Sequence, residues 1–374
     1  MARSPRIVLA AGGTGGHLFP AEALAAELVK SGIEVHLATD RRGMAYGGAF
    51  PALERHEIRA ATPSGKSPIA LARALALLAF GSLQSLRLMR RLKPDAVVGF
   101  GGYPSVPPVF AAWLLGIPTL IHEQNGVMGR ANRFLAYRAK AIGTGLANIK
   151  GVSSRLMDKI HLVGNPVRAT VLEAARRPYE PLTAEGPIRV VVTGGSQGAR
   201  VMSEVVPKAL GLLSPDLKAR LEIVHQARGN DLATAKYLYD AAGIPADIRS
   251  FFDDLPARMA EAHLVIGRAG ASTIAELAVI GRASILVPLP GSLDQDQAAN
   301  ADSLGRIGAA TVMRQKDFTP DALSATLAQF FGHPADLTDS SLAAKNAGIP
   351  DAALRFAKLV RAVAGLDTLR STLR

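Results

Sequence analysis

Along the 374 residues, short apolar runs alternate with longer amphipathic stretches. Ile7–Ala11 stops abruptly at glycine, and Ala21–Lys30 then carries apolar residues at helical spacing. The pattern predicts strands at Arg6–Ala10, Glu34–Ala38, Ala96–Gly99, Thr119–His122, Ala141–Thr144, Ile188–Thr193, Glu222–His225, Leu264–Ile266 and Ser284–Val287. Helical patterns such as Ser203–Leu213 lie between most of them. Such alternation argues for an α/β fold of parallel sheets with helices on both faces. Ala96–Ile121 has no charged residue, but prolines and glycines punctuate it, so strand, turn, short helix and strand is expected rather than a membrane span.

The start is echoed once: RIVLAAGGTGGH reappears in outline as IRVVVTGGSQGAR. Each copy is a buried strand that stops at a glycine turn and feeds a helix. Between them ARRPYEPLTAEGP, ending at Pro187, has three prolines and no periodicity. Two doubly wound domains are expected, changing near GNPVR (164–168): residues 1–167 plus 347–374, and residues 168–346. Such sheets bind ligands beyond the carboxyl ends of their strands, so the domains are expected to face each other across a cleft.

Composition narrows the chemistry. Without cysteine there are no disulfides or thiolate metal sites, which fits a reducing compartment. The net charge of +12 suits nucleic acid, an anionic small molecule or an anionic membrane surface. No RNA- or DNA-binding motif is present, and the N-terminus has no signal-peptide pattern. Glycine turns leading into helices suit phosphate. The dinucleotide fingerprint fails at Leu18, and no phosphate-loop motif occurs, which disfavours nicotinamide enzymes and NTPases. Asp40 fits a ribose contact or a solvated turn equally well. His17, at a helix start, is either a packing residue or a neutral general base. GFGGYPSVP (99–107) is a third glycine turn, and HEQN (122–125) ends the next strand. Thr273 and Glu276 have capping-box spacing, a structural reading of Glu276.

In order, GGTGGH, GFGGYPSVPPVFAAWLLGIPTLIHEQN, GNPVR, TGGSQGAR, RAGASTIAELAVIGRASILVP and DQAANA make the chain resemble the MurG family. That resemblance implies a GT-B fold, two Rossmann-like domains with the last helix returning to the first. It implies an inverting transferase that moves GlcNAc from UDP-GlcNAc to undecaprenyl-diphospho-muramoyl-pentapeptide (lipid I), giving lipid II for peptidoglycan. Carried onto matching positions, it makes Thr14, Gly15, Gly16, Asn125, Arg168 and Ser196 donor contacts. Phe252 becomes the position whose backbone reads uracil. Ala271, Ser272, Thr273, Ile274, Ala275 and Glu276 line the nucleotide, with Glu276 on the ribose, and Gln297 holds sugar hydroxyls. His17 is the first candidate base and Glu123 the second. One departure is visible: Asp296 stands where many members have histidine.

No cofactor and no metal are implied. The lipid acceptor implies peripheral attachment to the cytoplasmic face of the inner membrane, with cell-wall synthesis proteins as further partners. Residues 64–95, read as a basic amphipathic helix pair, place Leu75, Leu78, Phe80 and Leu83 beside arginines and lysines, with Trp113 as a neighbour. Packing of these leucines on the sheet is the plainer reading. Three alternatives stay open: another GT-B UDP-sugar enzyme, such as a soluble glycosyltransferase or a UDP-GlcNAc epimerase; a nucleotide-sugar sensor; and a nicotinamide oxidoreductase.

Overall fold

The computed structural model describes residues 3–45, 50–61, 67–195, 198–291 and 295–367. Ser196 of the second glycine turn and Lys66 of the basic stretch lie outside the described residues. The chain divides into two compact units, Met1–Arg168 with Pro350–Arg374, and Ala169–Ile349.

Unit 1 holds one parallel sheet of seven strands: β1 (Arg6–Ala11), β2 (Glu34–Thr39), β3 (Glu54–Glu57), β4 (Ala96–Gly99), β5 (Thr119–Glu123), β6 (Ala141–Thr144) and β7 (Ile160–Leu162), in the order β3-β2-β1-β4-β5-β6-β7. Unit 2 holds six: β8 (Ile188–Thr193), β9 (Leu221–Gln226), β10 (Ala246–Arg249), β11 (Leu264–Gly267), β12 (Ser284–Leu286) and β13 (Ala310–Val312), in the order β10-β9-β8-β11-β12-β13. The nine strands expected from the apolar runs are all present, each end within a residue of the expected position. Those not expected are β3, β7, β10 and β13, the outer strands of both sheets.

The central strands are built around apolar runs because both faces are covered. Along β1, Ile7, Leu9 and Ala11 enter a core built with Leu18, Leu24 and Leu28 of the helix Gly15–Lys30 and with Phe356 and Val360 of the helix Ala352–Val363. Val8 and Ala10 point the other way, toward Leu88, Met89, Val109, Ala112 and Leu135. The uncharged stretch after Asp95 resolves into β4, the helix Val106–Leu114 and β5.

The basic amphipathic stretch is one helix, Pro68–Leu92, and not the expected pair. Pro68 at its start has a fixed φ suited to a first helical turn. Gly81, within the helix, is a packing position: a Cβ there would lie 2.0 Å from the carbonyl oxygen of Arg59. By length and composition alone this helix is apolar enough to cross a membrane. Its last turns are nonetheless built into unit 1 through Leu88, Met89 and Leu92.

In both sheets the strand order reverses beside the first strand, between β1 and β4 and between β8 and β11. Chains leaving neighbouring strands there diverge to opposite faces and open a crevice at the strand ends. GGTGGH and GFGG flank one reversal; GGSQG and RAG flank the other.

Gly81→Ala tests the helix packing. Alanine gains about 1 kcal/mol of helix propensity, but overpacking against a backbone carbonyl costs about 1–3 kcal/mol. Urea denaturation is expected to show net destabilisation; equal or greater stability would contradict the close approach.

Candidate active site

In unit 1, Gly12 and Gly13 end the β1 run and Thr14 is the N-cap of the helix Gly15–Lys30. A Cβ on Gly13 would lie 2.4 Å from Gly43 N, so only glycine lets this turn pass the neighbouring β2 loop. Asp40, left between two readings by the sequence, caps the helix Arg41–Met44 by accepting from Gly43 N at 3.0 Å. Gly15 and Gly16 open the long helix at a position where backbone N–H groups suit an anion, while His17 N already donates to Thr14 O at 3.0 Å.

Thr14 does not cap with its side chain; its Oγ1 lies 2.9 Å from His17 Nδ1. The imidazole is packed against three glycines. Cβ atoms on Gly12, Gly101 and Gly102 would lie 3.7, 3.6 and 3.3 Å from His17 Nδ1, Nε2 and Cε1 respectively. Gly101 and Gly102 have φ of +80° and +69°, so the GFGG turn requires glycine for its backbone as well. Enclosure lowers the His17 pKa to about 4, outweighing the opposing pull of Asp40, while Arg42 adds to the lowering.

Glu123, at the end of β5, is buried, and burial raises its pKa. Its Oε1 accepts from Asn125 N at 3.0 Å and Asn125 Nδ2 at 3.3 Å; its Oε2 accepts from Gly129 N at 2.9 Å and Asn132 Nδ2 at 2.8 Å. A carboxylate surrounded in this way organises a loop, and has little freedom to abstract a proton. Two of these four hydrogen bonds come from Asn125, the neighbouring residue of the HEQN loop. Asn132 also donates to His122 O at 3.0 Å, and a Cβ on Gly101 would lie 3.3 Å from its Nδ2. One side chain thus ties the HEQN loop to the turn that encloses His17. Arg168 lays its guanidinium over the Phe19 ring, 4.0 Å from the centroid.

In unit 2, Gly194 and Gly195 follow β8, and Gly195 and Gly198 both have φ of +77°. A Cβ on Gly194 would meet Ala199 N at 2.3 Å. The turn after β11 is fixed from behind. Buried Arg268 donates to Val287 O at 3.0 Å, Pro288 O at 3.1 Å and Gln315 Oε1 at 2.7 Å, and buried Asn300 donates to Ala269 O at 3.0 Å. The helix Ala271–Ile280 follows, with Gly270 as N-cap and no side-chain cap. The capping-box reading of Thr273 and Glu276 is therefore not realised; Thr273 lies inside the helix.

Ala271, Ser272, Thr273, Ala275 and Glu276 are half-buried, while Ile274 turns its side chain into the core and can offer a ligand only backbone. Phe252 is buried too, its ring flanked by the guanidinium carbons of Arg249 at 5.1 Å and Arg258 at 5.7 Å. Gln297 Oε1 accepts from Leu289 N at 3.0 Å, and Asp296, at the helix start, accepts from Gln297 N at 2.9 Å. A cavity of about 470 Å³ lies instead at the amino ends of β8, β9 and β10, among Arg189, Glu222 and Asp247, remote from the glycine turns.

Two Rossmann-like parallel-sheet units, each with a glycine turn at its switch point, define a glycosyltransferase of the GT-B class. Residues 7–144 match the glycosyltransferase family 28 N-terminal domain and residues 189–356 the family 28 C-terminal domain. A UDP-N-acetylglucosamine–N-acetylmuramyl-(pentapeptide) pyrophosphoryl-undecaprenol N-acetylglucosamine transferase of Methylobacterium nodulans is 59% identical over 95% of this chain and 96% of its own. One of the same name from Rhodopseudomonas palustris is 50% identical over 99% of both. The crystal structure of Acinetobacter baumannii MurG superposes with a TM-score of 0.76 at 31% identity, covering 96% of this chain and 99% of that one. The chain belongs to the MurG family of glycosyltransferases. A UDP-N-acetylglucosamine 2-epimerase shares the fold alone, at 13% identity and a TM-score of 0.65.

His17, His122 and His225 all have pKa values lowered to about 4, from the ordinary 6.5, chiefly by burial. The unfolded chain takes up these protons first, so the stability they carry is complete above pH 6.5 and is lost as pH falls toward 4. Denaturation midpoints measured from pH 7 to pH 4 should fall steeply, and His17→Gln should flatten the slope. A pH-independent midpoint would contradict buried neutral imidazoles.

Proposed function

We propose that the chain transfers N-acetylglucosamine from UDP-GlcNAc to lipid I, inverting the anomeric carbon and forming lipid II for peptidoglycan. The observation that carries this reading is 59% identity through 95% of the chain to a transferase of that name. The epimerase reading is not favoured, since its support is fold alone.

In this reading unit 2 holds the nucleotide and unit 1 presents the acceptor. The acceptor hydroxyl attacks the anomeric carbon as the bond to UDP breaks, and UDP leaves with the electron pair. His17 takes the hydroxyl proton. The Thr14 hydroxyl accepts from Nδ1–H in the tautomer that leaves the Nε2 lone pair on the side of Gly101 and Gly102, where no Cβ obstructs an incoming hydroxyl. A pKa of about 4 keeps the ring unprotonated at neutral pH, at the expense of base strength. The family resemblance assigns the donor contacts to Gly15, Gly16, Arg168 and Ser196, and free N–H groups at a helix start suit the charge that grows on the diphosphate. Glu276 holds the ribose hydroxyls, Phe252 presents backbone to uracil, and Gln297, its carbonyl oxygen already engaged by Leu289, offers its NH₂ to the sugar. Asn125 contacts the donor sugar, held in place by Glu123.

The lipid of the acceptor requires a membrane surface. Leu75, Phe80 and Leu83 on the helix Pro68–Leu92 are 54%, 45% and 56% exposed, a large apolar area to leave in water. Leu78 is half-buried and belongs partly to packing. Exposed Arg73, Arg87, Arg90, Arg91 and Lys93 supply the basic rim. Exposed Trp113 carries the Arg138 guanidinium 5.1 Å from its ring. We place this face against anionic lipid on the cytoplasmic side of the inner membrane, where each basic side chain contributes about 1 kcal/mol.

UDP release with a short-chain lipid I analogue tests the chemistry. His17→Ala is expected to lower kcat by about 10²–10⁴-fold, and Glu276→Ala to raise the KM for UDP-GlcNAc with a smaller effect on kcat. Unchanged turnover in His17→Ala would remove it as base. In wild type the acid limb of kcat/KM is expected below pH 5, following the lowered His17 pKa.

Sedimentation with anionic vesicles tests the surface. Leu75→Glu with Leu83→Glu is expected to abolish binding while leaving turnover of a water-soluble acceptor analogue intact. Retained binding would move the docking face elsewhere.

A further inference from the structure

Away from the glycine turns, three side chains converge on the outer edge of the unit 1 sheet. His36 lies on β2, and Glu54 and His56 lie on the edge strand β3. The strands run parallel with His36 opposite Glu54 and Ala38 opposite His56, so all three side chains share one face. That face is the one covered by the last turns of the helix Pro68–Leu92, because Ala38 packs in the same core as Leu88, Met89 and Leu92.

His36 Nδ1 lies 3.2 Å from His56 Nε2, and His56 Nε2 lies 3.5 Å from Glu54 Oε2. One ligand atom from each residue falls within 4.8 Å of the others. Tetrahedral zinc with ligand bonds of about 2.0–2.1 Å places adjacent ligand atoms about 3.3 Å apart. The nitrogen pair and the nitrogen–oxygen pair therefore already stand near the separations that one such ion imposes. His36 is 3% exposed, and its Nε2 has no hydrogen-bond partner among the described residues. The ring is thus committed through Nδ1 to this cluster alone. Of the neighbouring charges, Arg6 is paired with Glu34 at 2.6 Å, and Arg91 is the remaining cation acting on both imidazoles. Glu54 is more than half exposed, which leaves an entry path and room for a water as fourth ligand.

We propose that His36, His56 and Glu54 form a divalent transition-metal site of the zinc class. Two imidazoles and a carboxylate select such ions over magnesium or calcium, which prefer all-oxygen sets. The ion would clip β3, whose sequence ERHE has no apolar residue, to β2. It would thereby fix the base of the segment that leads to the helix Pro68–Leu92.

The test uses the full chain stripped with a chelator and then titrated with Zn²⁺ and, separately, Co²⁺. One ion per chain is expected, with a tetrahedral Co²⁺ visible spectrum and a raised Tm in Zn²⁺. Glu54→Gln, at an exposed position, is expected to keep the fold and weaken binding by about 10–100-fold, the range seen for losses around metal sites. His56→Gln should abolish the Co²⁺ spectrum. Wild type that binds no ion, or binding and spectra unchanged in both variants, would overturn the proposal, the latter showing that the ion sits on other histidines.

Discussion

The absence of a Cβ at Gly12, Gly101 and Gly102 is the constraint on which the unit 1 site rests. An imidazole lies against backbone on several sides; a Cβ would be a tight contact at Gly102, and the positive φ of Gly101 and Gly102 makes any side chain there strained. The same closeness strips water from His17 and holds it neutral. Glycine therefore does two jobs at once: it shapes the turn and it sets the protonation state of the group the turn surrounds. Unit 2 applies the principle without a titrating residue. Gly194 lets the backbone fold back onto Ala199, and buried Arg268 and Asn300 hold the neighbouring turn from behind.

How much of this could be read from sequence follows from how completely each part is buried. β1, β4, β5, β8, β11 and β12 are buried along nearly their whole length and are each built around an apolar run, with polar residues such as Arg6, His122, Glu123 and Arg189 toward the strand ends. β3 (ERHE), β7 (IHL), β10 (ADIR) and β13 (ATV) sit at sheet edges, where half-exposed positions admit charge and shortness, and no run survives to be recognised. The glycine turns were legible because glycine is required by geometry that is local in sequence. Asn132 was not: its role comes from folding back onto a loop nine positions upstream, and nothing in its own neighbourhood marks it. Thr273 and Glu276 misled for the opposite reason. Their spacing suits a cap, but Gly270 occupies the cap position, leaving both within the helix.

The helix Pro68–Leu92 has two unlike faces. Its Ala74, Gly81, Ser85, Leu88 and Met89 side is narrow and small-residue-rich toward the middle, so it sits close on the chain below. The opposite side keeps leucine and phenylalanine in the open. A composition pattern alone merges the two faces, which is why it could not say which leucines pack and which stay exposed.

Phe356 is fully buried in unit 1, edge-on to Phe100 and against the His122 ring, although it comes near the end of the chain. Unit 2 is continuous from Ala169 to Ile349 and needs nothing from elsewhere in the sequence to close its core. On a ribosome the order of completion is therefore reversed: the half that is translated first stays open beside Phe100 until the last helix emerges, while the later half can already be finished. A nascent chain halted before Phe356 would carry an unsealed apolar seam for as long as translation is paused.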